Sequence, residues 1–530
     1  MTLSIREKKE NVDGFMVSNG AVGFGISAAS MTATWVWAAS LYAAASSGYT
    51  YGVSGPIHYG LWGALMILCI YPFGRHFRRV APKAHTLAEV MHARHGRSSQ
   101  LILAVSNIVG SVISLTANFT AAGALVEILT PLSFLHGVLI AAVGVLCYTL
   151  WSGFRASVLT DFAQLVAMMV AAALIVPMVF FATGGIGALD QGVATLTTEQ
   201  ANFFSGEAFL EQGGPYLAAV LAYAIGNQTI AQRLFAVRQD RIKSTFITAT
   251  LGYAGTVIGL GMLGLLAVMV GLQPLNGDMN NIIPQMASEY LSPVMVGLLF
   301  IMVIGSLSST ADSDLAALSS LVMTDIYGKN LARGKVNPRT MLHIGRITMV
   351  AATALGVMFA VSNFNILDLL VFVGALWGAL VFPVIASFYW DRITNRAFTA
   401  SVLVALVFFL VARFELLPLT GVVALVMEIA AAIGAAVVFG FMAFGLFGKR
   451  VGFSVGAVAG VALLPLILGF LRDYPTLLGS LVSYGVSTVV CVAISMAAQE
   501  RFDFSVIDQR VTEFQMREAG TPPEPVEAAR

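Results

Sequence analysis

Fourteen apolar runs of about 20 residues follow one another along this chain, each long enough to cross a hydrocarbon core of about 30 Å as a helix. They fall at residues 20–47, 53–74, 101–129, 134–151, 158–182, 214–232, 244–271, 294–323, 340–362, 367–390, 397–413, 420–447, 451–471 and 476–498. Only 11% of the residues are charged, far below the roughly 25% of a soluble domain. The spacing therefore predicts an all-α protein of the lipid bilayer with many spans. A formal charge of +1 leaves no global footprint for nucleic acid. Cys69, Cys147 and Cys491 sit far apart in apolar runs, which argues against a disulfide frame or a zinc pattern.

Orientation is read from loop cations. The segment after the second span carries Arg75, Arg78, Arg79, Lys83, Arg94 and Arg97 against one acid, Glu89. Arg233, Arg238, Arg241 and Lys243 follow the sixth span, and Lys449 with Arg450 the twelfth. The alternation puts these loops, and both chain ends, in the cytoplasm of a multi-pass plasma or inner membrane protein. His92 and His95 share a helical face in the first of these loops and read chiefly as part of a solvated basic surface. The tail from Glu500 reads as disordered apart from an amphipathic piece around Phe502 to Phe514.

Against this apolar background, GSLSSTADSDLAALSSLVMTDIY, residues 305–327, places hydroxyls and carboxylates inside a span. Ser306, Ser309 and Thr310 stand at i, i+3 and i+4, one face of a helix. Such a stripe suits a hard cation such as Na⁺ if a second segment adds carbonyl oxygens. It equally suits back-bonding to the preceding turn and contact between helices. Two spans are interrupted at comparable depth, by SAASMTATW at residues 27–35 and by Gly226, Asn227 and Gln228. Paired broken helices in two halves of opposite orientation point to a transporter site near the bilayer midplane. Asp161, Asp312 and Asp314 lie within spans, where an ionised side chain costs at least ~2.5–3.5 kcal/mol. Trp35, Trp37 and Trp377 offer faces for a planar solute, or simple packing. No arginine or lysine is expected at mid-depth, which favours a neutral solute. No nucleophile–base pair, metal triad or phosphate loop recurs at fixed spacing, so an enzyme is not expected.

SGFRASVLTDFAQ, GNQTIAQR, SSTADSDLAALSSLVMTDIY and PVIASFYWDR, in that family's order along spans one to ten, resemble signature stretches of the sodium:solute symporter family. YGVSGPIHYG and APKAHTLAEVMHARHG are similar to the urea active transporters of plants and fungi. The resemblance implies a LeuT-type core of five plus five inverted helices working by alternating access, with Na⁺ as coupling ion and no organic cofactor. It implies a sodium site made by carbonyl oxygens of Ala29, Thr32 and Ser306 with the hydroxyls of Ser309 and Thr310. Asp161, with Asp312 nearby, would line the ion's exit, and Tyr223 would be an aromatic gate beside Trp35, Asn227, Gln228 and Trp377. The implied division is a cytoplasmic segment 1–19, a ten-helix core 20–390, additional spans 391–498 and a tail 499–530. Two departures stand out: REKKENVDGF leads into the first core helix without the extra helix of most relatives, and Met31 replaces an aspartate found in some. The expected function is Na⁺-coupled symport of a small polar solute, with urea first. H⁺ coupling, a Na⁺-independent pore, and proline or a short monocarboxylate as solute are the alternatives.

Overall fold

The computed structural model describes residues 16, 22–332, 337–362 and 364–518. Residues 1–15, 17–21 and 519–530 lie outside, and with them most of the expected N-terminal segment and the end of the tail. The first span is two helices, α1 (Phe24–Trp35) and α2 (Ala38–Tyr51). Then come α3 (Ser54–Val80), a short α4 (Leu87–His95), α5 (Arg97–Leu129) and α6 (Phe134–Ala182). The sixth span is again two pieces, α7 (Gly214–Gly226) and α8 (Gln228–Ala236), followed by α9 (Ile242–Met269) and α10 (Pro293–Leu321). The chain continues through α11 (Pro338–Ala360), α12 (Ile366–Ser387), α13 (Asn395–Arg413), α14 (Gly421–Phe447), α15 (Lys449–Ile467), α16 (Pro475–Ala497) and α17 (Val506–Glu518). Eleven described helices are long and apolar enough to cross a membrane, and the protein is a multi-pass membrane protein.

Spans four and five, expected as separate, are joined in α6, a helix of 49 residues. Tyr148 and Ser157 nevertheless both reach Asp312. Nine positions apart on a straight helix they would face opposite sides, at about 100° per residue. Within α6, Ser157–Ala182 is long and apolar enough to cross a membrane and Phe134–Leu150 is a shorter apolar stretch, and both stretches reach Asp312 on α10.

α10 lies at the centre, packed against α1, α5, α6 and α11. α12 rests on α7 and α16 and is mostly buried, whereas α15 packs on α14 and leaves most of its surface exposed. In lipid, helices are held by close packing rather than by apolar transfer. α14 and α16 meet through Gly434 and Gly485, where an added Cβ would fall on the backbone of Leu481 or Ala430.

The expected solvated basic surface is instead an interface. Arg94 is buried; it donates to the carbonyls of Ser387, Trp390 and Asp391 and its guanidinium lies 3.9 Å from the ring centroid of Phe502. Arg510 donates to the carbonyl of Ala93, and Ile507 and Val511 are buried, so α17 packs on α4. The amphipathic pattern of residues 502–514 is thus a folded strap, because α4 supplies the face it needs. Burial holds the imidazole of His92 down at about 4 and that of His95 well below its ordinary value; His95 shares a hydrogen bond of 2.6 Å with Ser387.

Candidate functional site

The run SAASMTATW, expected to unwind, is helical to Trp35, and the break falls at Val36 and Trp37. The small residues let α1 pack closely, and what opens the helix is help from α10. Ser306 donates to the carbonyl of Val36, and Thr310 donates to the carbonyls of Thr34 (3.1 Å) and Ser306 (3.2 Å). Carbonyls freed by a break inside a membrane must find donors, and the hydroxyl stripe provides them. The carbonyl of Thr32 accepts the N–H of Val36 at 2.9 Å, and Ala29 is buried within α1. The second break falls where the sequence places it. Asn227 has extended backbone and caps α8 by accepting from the N–H (2.7 Å) and hydroxyl (2.6 Å) of Thr229. Gln228 reaches the carbonyl of His85 at 3.3 Å.

Just below the first break lies a charged layer. Ser309 donates to Asp161 Oδ1, and Ser30 donates to Asp161 Oδ2 at 2.5 Å. Arg233, read from the sequence as a loop cation, is only 5% exposed and pairs with Asp161 Oδ2 at 3.1 Å. The same guanidinium donates to Ser30 (3.0 Å), Thr34 and Ser313 (2.7 Å), and stands over the ring of Phe154. Arg233, expected in a cytoplasmic loop, is instead buried inside the protein against Asp161. The cause is the break: α8 is too short to carry Arg233 clear of the packed helices. The signal was present in QTIAQR, one α-helical turn and a half after the interruption.

The two further aspartates of α10 face different helices. Asp312 accepts from Tyr148 (2.7 Å) and Ser157 (2.5 Å) on α6, while Asp314 accepts from Ser114 (2.6 Å) on α5. Neither has an ion pair among the described residues. Ser313 bridges the groups: it bonds the Ser309 carbonyl at 2.6 Å and lies 3.0 Å from both Ser157 and Thr34.

Beside the breaks is an aromatic layer. Trp35 packs edge-on to Trp37 (5.7 Å between centroids) and to Tyr223 (6.0 Å), and Tyr223 to Trp377 (5.1 Å). All four are buried. Gly226 lets Trp377 approach, since a Cβ there would lie 2.6 Å from the indole. Trp35 donates to the carbonyl of Gly63, Trp377 to that of Ser106 and Tyr223 to that of Leu370. Trp37 Nε1 and the hydroxyl of Tyr42 are buried and have no hydrogen-bond partner among the described residues. An orphaned buried donor costs about 1–3 kcal/mol. Among the described residues no cluster of three or more His, Cys, Asp or Glu is placed to hold a metal ion.

A sequence profile of the sodium:solute symporter family matches residues 15–404. The high-affinity proline transporter PutP of Bacillus subtilis is 24% identical over 424 residues, 75% of this chain and 86% of that protein. The probable urea active transporter 1 of Schizosaccharomyces pombe is 23% identical over 433 residues, 74% of this chain but 63% of that protein. A Na⁺-coupled sialic acid symporter in a substrate-bound, outward-open state superposes with a TM-score of 0.66 at 17% identity, covering 88% of this chain and 94% of that one. Mhp1, a nucleobase–cation symporter, superposes at 0.51 with 14% identity. The fold is the LeuT-type inverted-repeat core with additional helices. With the profile covering most of its length, the paired broken helices at its centre and the hydroxyl stripe facing them, this chain belongs to the sodium:solute symporter family.

Proposed function

We propose that this protein is a secondary active transporter that couples Na⁺ entry to uptake of a small polar solute, urea first, by alternating access. The observation that carries the reading is that Thr310 and Ser309 give their protons away, to the Thr34 carbonyl and to Asp161. Each hydroxyl keeps lone pairs for a hard cation. Carbonyls of Ala29 and Thr32, toward the negative end of α1, and of Ser306 complete the shell. The ion leaves past Asp161, with Asp312 beyond it. The solute lies against Trp35, Trp37, Tyr223 and Trp377, with Asn227 and Gln228 at the edge. A neutral solute is favoured because Arg233, which reaches Thr34 beside the first break, is already paired with Asp161. Urea has a planar face for the indoles and a carbonyl to accept from Trp37 Nε1. Na⁺ stabilises the arrangement that receives solute from outside, and its loss inward lets the carrier reset. The protein sits in the plasma or inner membrane with both ends cytoplasmic, residues 20–390 forming the core and 391–498 the added spans. Proline is the second reading, supported by the proline transporter that matches over 86% of its own length.

The test is uptake of radiolabelled urea into proteoliposomes with and without an inward Na⁺ gradient. Native protein takes up urea only with the gradient, and Ser309→Ala with Thr310→Ala raises the half-saturating Na⁺ about tenfold or abolishes the dependence. Uptake that follows a pH gradient instead replaces Na⁺ by H⁺, and uptake indifferent to both replaces coupling by a pore. No urea uptake, with labelled proline entering on the same gradient, moves the solute and keeps the ion site.

A further inference from the structure

We infer that Arg233 is a tethered cation that competes with Na⁺ for Asp161 and so closes the ion's path out of the site. This rests on the sodium reading above. The guanidinium occupies a setting made for a hard cation: one of its nitrogens meets Thr34 Oγ1, Ser313 Oγ and Asp161 Oδ2, and Nε meets Ser30 Oγ. Asp161 is fully buried, and its other oxygen holds Ser309, one of the two hydroxyls assigned to Na⁺. An ion moving from Ser309 to Asp161 thus meets a carboxylate that already has a countercharge. It can be received there only when the guanidinium withdraws, since two cations on one buried carboxylate repel strongly at low dielectric.

Withdrawal also has a structural consequence. Arg233 ties α8 to α1 through Ser30 and Thr34, to α6 through Asp161 and to α10 through Ser313. The same end of α8 is fastened to the start of α1 by paired backbone bonds, Val22 N–H to the Ala236 carbonyl (3.1 Å) and Arg238 N–H to the Val22 carbonyl (3.2 Å). Arg233 lines a pocket with Val22, Ser30, Phe154 and Ala236. Moving the guanidinium off Asp161 loosens the corner where both broken helices meet α6 and α10, and its return after the ion has left restores the closed corner. Arg233 is a positioning residue in this scheme: it acts on Na⁺ through Asp161.

The experiment measures equilibrium binding of ²²Na⁺ to the purified full-length chain in detergent. Arg233→Gln frees the carboxylate and binds ²²Na⁺ about tenfold more tightly than native. Arg233→Lys keeps a charge but not the fork that reaches three hydroxyls, and binds about threefold more tightly; it carries the test if the glutamine variant does not accumulate. In an Asp161→Asn background the Arg233→Gln gain disappears. Native or weaker ²²Na⁺ binding in whichever Arg233 variant is obtained overturns the inference and leaves Arg233 as a strut. If native protein binds no ²²Na⁺ at all, the sodium reading itself fails.

Discussion

Two layers of the core lie against the same break in the first span and are built from opposite chemistry. The layer below Thr34 is charged and dense with hydroxyls: Asp161, Arg233, Ser30, Ser309 and Ser313 satisfy one another across four helices. The layer around Trp37 is aromatic, and its indole and phenol groups are bonded to backbone carbonyls except for Trp37 Nε1 and Tyr42. A buried ion pair is costly unless every partner is present, so the charged layer is a unit that tolerates few changes. The aromatic layer is held by packing and by separate single bonds, and adapts one contact at a time. The division separates a layer that has to be kept whole from one that can change contact by contact.

The largest expected effect tests whether the charged layer is a unit. Asp161→Asn leaves Arg233 buried without its countercharge, which costs roughly 3–5 kcal/mol; thermal unfolding in detergent should show a large loss, and Na⁺-driven uptake should fall at least about 100-fold. Survival of either property would break the contrast between the layers.

Next, the two remaining aspartates should separate. Asp312→Asn, next to Ser313 and Ser157, should weaken ²²Na⁺ binding about tenfold, whereas Asp314→Asn, facing Ser114 on α5, should change it less than about twofold. Equal effects would mean that the ion's surroundings extend across both faces of α10.

A smaller effect probes the aromatic layer. Trp37→Phe removes the orphaned N–H and keeps an aromatic face, and should reduce apparent affinity for the transported solute by about five- to tenfold with ²²Na⁺ binding unchanged. A change in sodium binding instead would show that the layers are not separable.

The smallest expected effect lies outside both layers. His92 is held neutral by burial, with its pKa lowered to about 4. A group depressed in the folded state contributes stability that is complete above its unfolded value of about 6.5 and is lost as pH falls toward 4. Lowering the pH from 7.5 to 5 should reduce the melting temperature by about 2 °C or more, and His92→Gln should flatten that slope. A slope that persists in the variant would assign the acid sensitivity to His95, which burial also holds neutral.

The match between sequence and structure is uneven for physical reasons. The break at Asn227 was legible because asparagine is a helix cap whose side chain can take over a backbone acceptor's role locally. The break in the first span was displaced to Val36 and Trp37, since a stretch of Ser, Ala and Thr is helical unless something else satisfies its carbonyls, and that something is Ser306 and Thr310 on a helix some 270 residues away. Spacing alone put Ser306, Ser309 and Thr310 on one helical face, and the structure turns Ser306 and Thr310 to carbonyls of the first break and Ser309 to Asp161. The strap of α17 was visible only as a short amphipathic pattern, because its partner face on α4 is far away in sequence.

Hydropathy and periodicity are local quantities, so the sequence by itself determined that this chain is a many-spanning helical membrane protein and which apolar runs carry polar interruptions. Its motifs added the family. The tertiary structure alone decided that Arg233 turns inward to Asp161, 72 positions earlier, that α10 supports the first break, and that Trp37 Nε1 has no acceptor among the described residues. Those outcomes depend on which helices pack together and at what depth, and a buried charge or N–H has no partner until the packing supplies one.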